Sequence, residues 1–151
     1  MTPNIFPAEL TGVWTARSRL FLTPDSVFES ESNMDFTYRS AGQCVDIGYT
    51  WHHDGKRHEG VILLIGDRDN KLVRAAWTDS WHVSRSLMNC EGTREPDGAV
   101  KVKGYYQVPD NPDWGWIIEI RPGHDLIELR MFNVSPEGEE EIAVEAIYSR
   151  K

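Results

Sequence analysis

Apolar and polar residues alternate with a period of two along nearly the whole chain, the signature of half-buried strands. Trp14, Ala16, Ser18, Leu20 and Leu22 share one face, opposite Thr15, Arg17 and Arg19. After Thr23-Pro24-Asp25-Ser26 the pattern resumes with Phe28, Ser30, Ser32, Met34, Phe36 and Tyr38, set against Glu29, Glu31, Asn33, Asp35 and Thr37. Val45, Ile47, Tyr49, Trp51 and His53 repeat it up to the turn at Asp54-Gly55. Residues 58–66 are apolar on both faces, and the sequence does not say which side is inner. Beyond Asp69-Asn70 come Val73, Ala75, Trp77 and Asp79, then a segment over 83–92 with Ser86, Met88 and Cys90 expected inward. Past Pro96-Asp97-Gly98, the inner row reads Val100, Val102, Gly104, Tyr106 and Val108. A loop at 109–113 precedes Trp114, Trp116, Ile118 and Ile120. Two more runs follow, Ile127, Leu129, Met131 and then Ile142, Val144, Ala146, Tyr148, Arg150. Only Pro7-Ala8-Glu9-Leu10 suggests a helical turn.

Ten short strands with tight connections predict an antiparallel up-and-down meander. Each strand has one apolar face, and a flat sheet would leave all of those faces wet. Closure into a barrel of about ten strands hides them and removes both edges. The expectation is therefore an all-β, closed, up-and-down barrel without a helical lid, one domain over residues 1–151. The inner rows contain small residues, namely Ala16, Ser18, Ser30, Ser32, Ala75, Gly104 and Ala146, and these predict an unfilled interior able to hold a small ligand.

Composition narrows the partners. With 24 acidic and 16 basic residues the formal charge is −8, and phosphate neutralisation by Lys and Arg, on which nucleic-acid affinity rests, is disfavoured. The longest apolar run, Val61–Ile65, is far short of the roughly 20 residues of a membrane span. Met1–Pro7 carries no basic patch or apolar run, so no secretory signal is expected, and the cytoplasm is the expected compartment. Cys44 and Cys90 form no disulfide framework and have no metal-ligand spacing. No His/Asp/Glu cluster has metal spacing, and no nucleophile or phosphate-loop motif is present.

The candidate chemistry is concentrated on the inner rows. Asp79 shares the face of Val73, Ala75 and Trp77, where a carboxylate needs a partner. It reads either as a polar anchor for a ligand or as the cap of a turn with Ser80. His53 reads as a hydrogen bonder at the barrel mouth, a haem ligand, an acid/base group, or a satisfied rim residue. His52 has the outward parity, so His52-His53 is no two-histidine metal site. His58 is ambiguous, and His82 and His124 read as loop. Trp81 and Trp114 adjoin loops, where they either line the mouth or meet a second copy in a homodimer.

Gly12-Val13-Trp14 opening the first strand, with Tyr148-Ser149-Arg150 closing the last, resembles the calycin superfamily of lipocalins and fatty-acid-binding proteins. The resemblance implies that Arg150 stacks on Trp14 and closes one end of the barrel, a cation–π contact worth roughly 0.5–2 kcal/mol. Leu10-Thr11-Gly12-Val13-Trp14, Gly66-Asp67-Arg68-Asp69, Ala76-Trp77-Thr78-Asp79-Ser80 and the closing Tyr148-Ser149-Arg150-Lys151 are similar to an uncharacterised bacterial family, domain of unknown function 1579. Unlike fatty-acid-binding proteins, the chain has only Thr23–Ser26 between its first two strands, with no helical lid. It also lacks the signal and disulfide usual in secreted lipocalins. Nitrobindin-like haem barrels share both features.

Together these readings predict an intracellular binding protein for a small hydrophobic or amphipathic molecule, lined by Tyr38, Tyr49, Trp51, His53, Trp77, Asp79, Met88, Tyr106 and Trp116. No cofactor is required. Haem on His53 and a small enzyme using Asp79 and His53 as acid and base remain as alternatives.

Overall fold

A computed structural model describes residues 4–151; Met1–Pro3, within the stretch Met1–Pro7 where no secretory signal is expected, lie outside the described residues. The ten expected strands are present. They are β1 (Gly12–Thr23), β2 (Ser26–Arg39), β3 (Cys44–His53), β4 (Lys56–Gly66), β5 (Leu72–Asp79), β6 (Val83–Arg94), β7 (Val100–Val108), β8 (Asn111–Gly123), β9 (Leu126–Val134) and β10 (Glu140–Arg150). Each strand pairs antiparallel with the next, and β10 returns to β1, so the sheet is a closed up-and-down barrel. β1 and β2 meet through two residues, leaving no room for a lid. No helix among the described residues is long and apolar enough to cross a membrane.

Alternation sets the inner face for most of the barrel. On β4, ambiguous in sequence, Gly60, Ile62 and Leu64 point in, while Val61, Leu63 and Ile65 are exposed. Five expectations fail, each for a local reason. Ile142 was expected inward, but an extra residue in β10 against Phe132 and Met131 reverses the parity, and Ala143 is buried instead. Ser86 is exposed because the β5–β6 register slips between Met88 and Val83, where Arg85 takes a left-handed backbone (φ 56°). Leu22 is 48 % exposed at the tip of β1, beyond the last interior layer, and Phe28, expected inward near the start of β2, is 45 % exposed at the rim against His53. The loop placed at 109–113 is shorter, since β8 pairs from Asn111 onward.

The two ends differ. At the end where β1 begins, Ile5, Phe6 and Leu10 are buried and cover the opening. Trp14 Nε1–H donates to the Leu10 carbonyl at 2.9 Å. The Arg150 guanidinium sits 4.1 Å above the Trp14 ring and also donates to the carbonyls of Thr11 and Glu9. A side chain at Gly12 would meet that guanidinium. At the opposite end the turns after β1, β3, β5, β7 and β9 surround a mouth rich in tryptophan and histidine.

The expectation of an unfilled interior is also corrected. The small inward residues are sockets for large ones rather than voids. Ser32 Oγ lies 2.7 Å from the Tyr148 hydroxyl, and both are buried. A Cβ on Gly104 would fall 2.7 Å from Met88 Cγ and Sδ. Trp14, Trp77, Tyr148, Phe36 and Met34 fill the centre. What remains is a space of about 20 Å³ among Ser18, Ser32, Tyr49, Asp79, His82 and Tyr148, room for roughly one water.

Candidate functional site

Asp79 ends β5 pointing inward and is 1 % exposed. One carboxylate oxygen accepts the Tyr49 hydroxyl at 2.7 Å and Trp51 Nε1–H at 3.1 Å. The other accepts the backbone N–H groups of Trp81 at 2.8 Å and His82 at 3.0 Å. Both sequence readings are thus present in one group: Asp79 is a buried inner residue and also the cap of the turn. Its roughly four lone-pair sites are all taken, so it holds the site together without a valence to offer a ligand.

The network continues outward. Trp77 Nε1–H donates to the Tyr49 oxygen at 2.9 Å, so that hydroxyl both accepts and donates. Burial, and then the Asp79 charge, push the Tyr49 phenol well above its ordinary range. Tyr49 fits because its partner across the ladder is Gly60, where a Cβ would run into the phenol ring and hydroxyl. Gly60→Ala is expected to cost about 2–3 kcal/mol through overpacking and the disturbed hydrogen bond. Thermal unfolding should read this as a Tm lower by roughly 4–10 °C.

Because Asp79 pins the N–H groups two and three residues ahead, the turn folds back and carries His82 over the barrel mouth. Its imidazole lies against four indoles, with centroids 5.3 Å from Trp51, 5.9 Å from Trp77, 4.7 Å from Trp81 and 5.2 Å from Trp116. Desolvation dominates its titration and lowers its pKa to about 4, although Asp79 pulls the other way and His58 adds to the lowering. It is neutral at pH 7. The sequence places His82 in a loop, and alternation does not reveal that this loop covers the mouth. An Asp at a strand end followed by a turn is the signal that finds it.

His82 lines two spaces, as does Leu20. Inside is the water-sized cavity already described; outside is a cleft of about 160 Å³ whose lining includes Leu20, Leu22, Trp81 and Trp116 together with the polar Asn133 and Glu141. Trp81, 40 % exposed, stands at the lip edge-on to Trp51 and His53. Trp116 stacks on Trp77 at 5.3 Å with planes 13° apart. Trp116 is 7 % exposed, and its Nε1–H has no hydrogen-bond partner among the described residues. Larger hollows lie on the outer wall over Gly48 and beside Arg150, of about 530 and 500 Å³. Neither contains an aromatic cluster or an unpaired buried donor.

The expected lining residues separate into groups. Tyr49, Trp51, Trp77, Asp79 and Trp116 converge at the mouth. His53 joins its rim, between Phe28 at 5.1 Å and Trp81 at 5.7 Å, with Nε2 3.5 Å from Asp54. No hydrogen bond or ion pair joins His53 to Asp79. Met88 is buried beneath, opposite Trp77. Tyr106 is half-buried and donates to Asn133 Oδ1 at 2.6 Å. Tyr38 lies at the other end, its hydroxyl donating to the Phe6 carbonyl and its pKa raised to about 12, chiefly by burial. Cys90 is buried with its thiol pushed up to about 11. No group of three His, Cys, Asp or Glu among the described residues is placed to hold a metal.

A family model described as "Protein of unknown function (DUF1579)" matches residues 6–150. No curated protein matches the chain. Among solved structures the chain is similar to the crystal structure of Rv2717c from M. tuberculosis, with a TM-score of 0.66 and 14 % identity over 95 % of this chain and 94 % of that one. At that identity the likeness concerns the fold alone.

Proposed function

The chain belongs to that DUF1579 family, and we propose that it is a lipocalin-like binding protein that takes a small hydrophobic or amphipathic molecule at the open end of its barrel. The observation that carries this reading is the buried, unpaired Nε1–H of Trp116 beside a tryptophan-lined cleft. A buried donor without an acceptor costs about 1–3 kcal/mol, and a ligand that supplies the acceptor recovers it. Apolar contact with Trp81, Leu20 and Leu22 supplies the rest, at roughly 25 cal/mol per Å² before ordering costs.

The residues present do not fit a haem inside the barrel. The interior space is about 20 Å³, and His53 is packed between Phe28 and Trp81 at the rim. Acid–base catalysis by Asp79 and His53 gains no support from the geometry either. Asp79 has spent its lone pairs on four donors, and His53 faces Asp54.

The test is titration with N-phenyl-1-naphthylamine, a neutral fluorescent probe. Its emission is expected to rise and saturate with one site per chain. Trp81→Ala, which removes an exposed ring, is expected to weaken binding about tenfold. Absence of saturable binding to a folded chain would overturn the reading. Native mass spectrometry of the same sample reports any co-purified molecule, a haem included, and whether the chain is a homodimer.

A further inference from the structure

We propose that the imidazole of His82 occupies the ligand's own seat, and that the mouth binds an uncharged planar heteroaromatic that swings this ring aside and accepts a hydrogen bond from Trp116. This rests on the reading of the mouth as a binding site and names the class of molecule it takes.

The ring of His82 is held by shape alone. It touches four indoles, yet neither of its nitrogens makes a hydrogen bond among the described residues; the polar anchor of this residue is its backbone N–H on Asp79. Rotation about the side-chain torsions therefore moves the ring out without breaking a hydrogen bond. His82 lines both the cleft and the inner cavity, as does Leu20, so departure of the ring widens the way from the cleft toward Ser18, Ser32 and Tyr148.

The strand that follows His82 is also the least tied in the barrel. β6 pairs with β7 only over Glu91–Arg94, against Val100–Lys103, and no ladder pair joins residues 83–90 to β7. On its other side the β5 ladder is broken between Met88 and Val83. The turn bearing His82 is thus attached through Asp79 and through Ser80, which bonds the Glu59 backbone of β4, rather than through β7.

Three features fix the ligand's chemistry. The seat accepts a flat ring, since an imidazole fills it between Trp51, which it faces at 24°, and Trp116. Trp116 Nε1–H lies buried and unpaired, and the neighbouring His82 nitrogens do not take it. A ring acceptor is what is missing. The rim is acidic on balance, with Asp25, Asp54, Asp110, Glu137, Glu139 and Glu141 in or beside its turns against Lys56 and Arg85, which disfavours an anion as the source of that acceptor.

Quinoline and naphthalene differ by one ring nitrogen and isolate the acceptor. In calorimetric titrations at pH 7.5 quinoline is expected to bind about tenfold more tightly than naphthalene. Trp116→Phe should abolish that preference even if both bind more weakly. His82→Ala should tighten both ligands, because nothing remains to displace, while His82→Phe should weaken both. Equal affinities for the two ligands in the parent chain, or weaker binding by His82→Ala, would overturn the inference while leaving a general apolar site standing. Failure of both ligands and of N-phenyl-1-naphthylamine would overturn the site itself.

Discussion

Asp79→Asn is expected to lower the unfolding free energy by about 3 kcal/mol, and Asp79→Ala by about 4–5 kcal/mol. The carboxylate accepts from four donors, two on each oxygen. An amide replaces one accepting oxygen with a group that only donates, so one pair of donors faces another donor in a buried site. Alanine leaves all four unpaired. Urea unfolding measures the change, and an unaltered m-value would show that the denatured state is not its source. A loss below about 0.5 kcal/mol for Asp79→Ala would mean that the network is incidental.

Acidification acts through His82. Its folded pKa of about 4 lies below the ordinary value of 6.5 because burial penalises the imidazolium. The unfolded chain therefore binds this proton more readily than the folded one between those two values. The stabilising contribution is complete above pH 6.5 and is lost as pH falls toward 4. From pH 7 to pH 5 the loss is about 2 kcal/mol. Other titratable groups surround the ring: Asp79 on β5, His58 on β4, His53 and Tyr49 on β3, and Glu141 on β10. The quantity that isolates His82 is thus the difference between the parent and His82→Gln stability curves. That difference should shrink by about 2 kcal/mol over this range, and a constant difference would contradict the assignment.

Much of the barrel is legible in the alternation alone. Trp14-Ala16-Ser18-Leu20 and Val73-Ala75-Trp77-Asp79 have their inner faces stated by parity, and tight turns dictate neighbour pairing. Parity fails where a residue is inserted. Ala143 in β10 and the slipped stretch around Arg85 in β6 each reverse the count, and nothing in the local composition announces them. The filling of the interior is hidden for another reason. Gly104 reads as a gap until Met88 is seen to occupy it, and Gly60, on a strand whose inner side alternation leaves open, receives Tyr49. His82 escaped because its position depends on Asp79 drawing the turn back across the mouth, a contact between side chain and backbone that periodicity cannot register. Tyr38 shares its strand's inner face with Ser32, yet Tyr38 lies at the closed end and Ser32 halfway along the barrel, and parity says nothing about depth.

The most direct test of the mouth as a binding site is a ¹H–¹⁵N spectrum of the six tryptophan indoles during titration with quinoline. The Trp116 resonance should move downfield most, as its N–H gains an acceptor. Trp77 and Trp14, already bonded to Tyr49 and to the Leu10 carbonyl, should move little. Six unmoved resonances at saturating quinoline, or a response confined to Trp14 at the closed end, would contradict it.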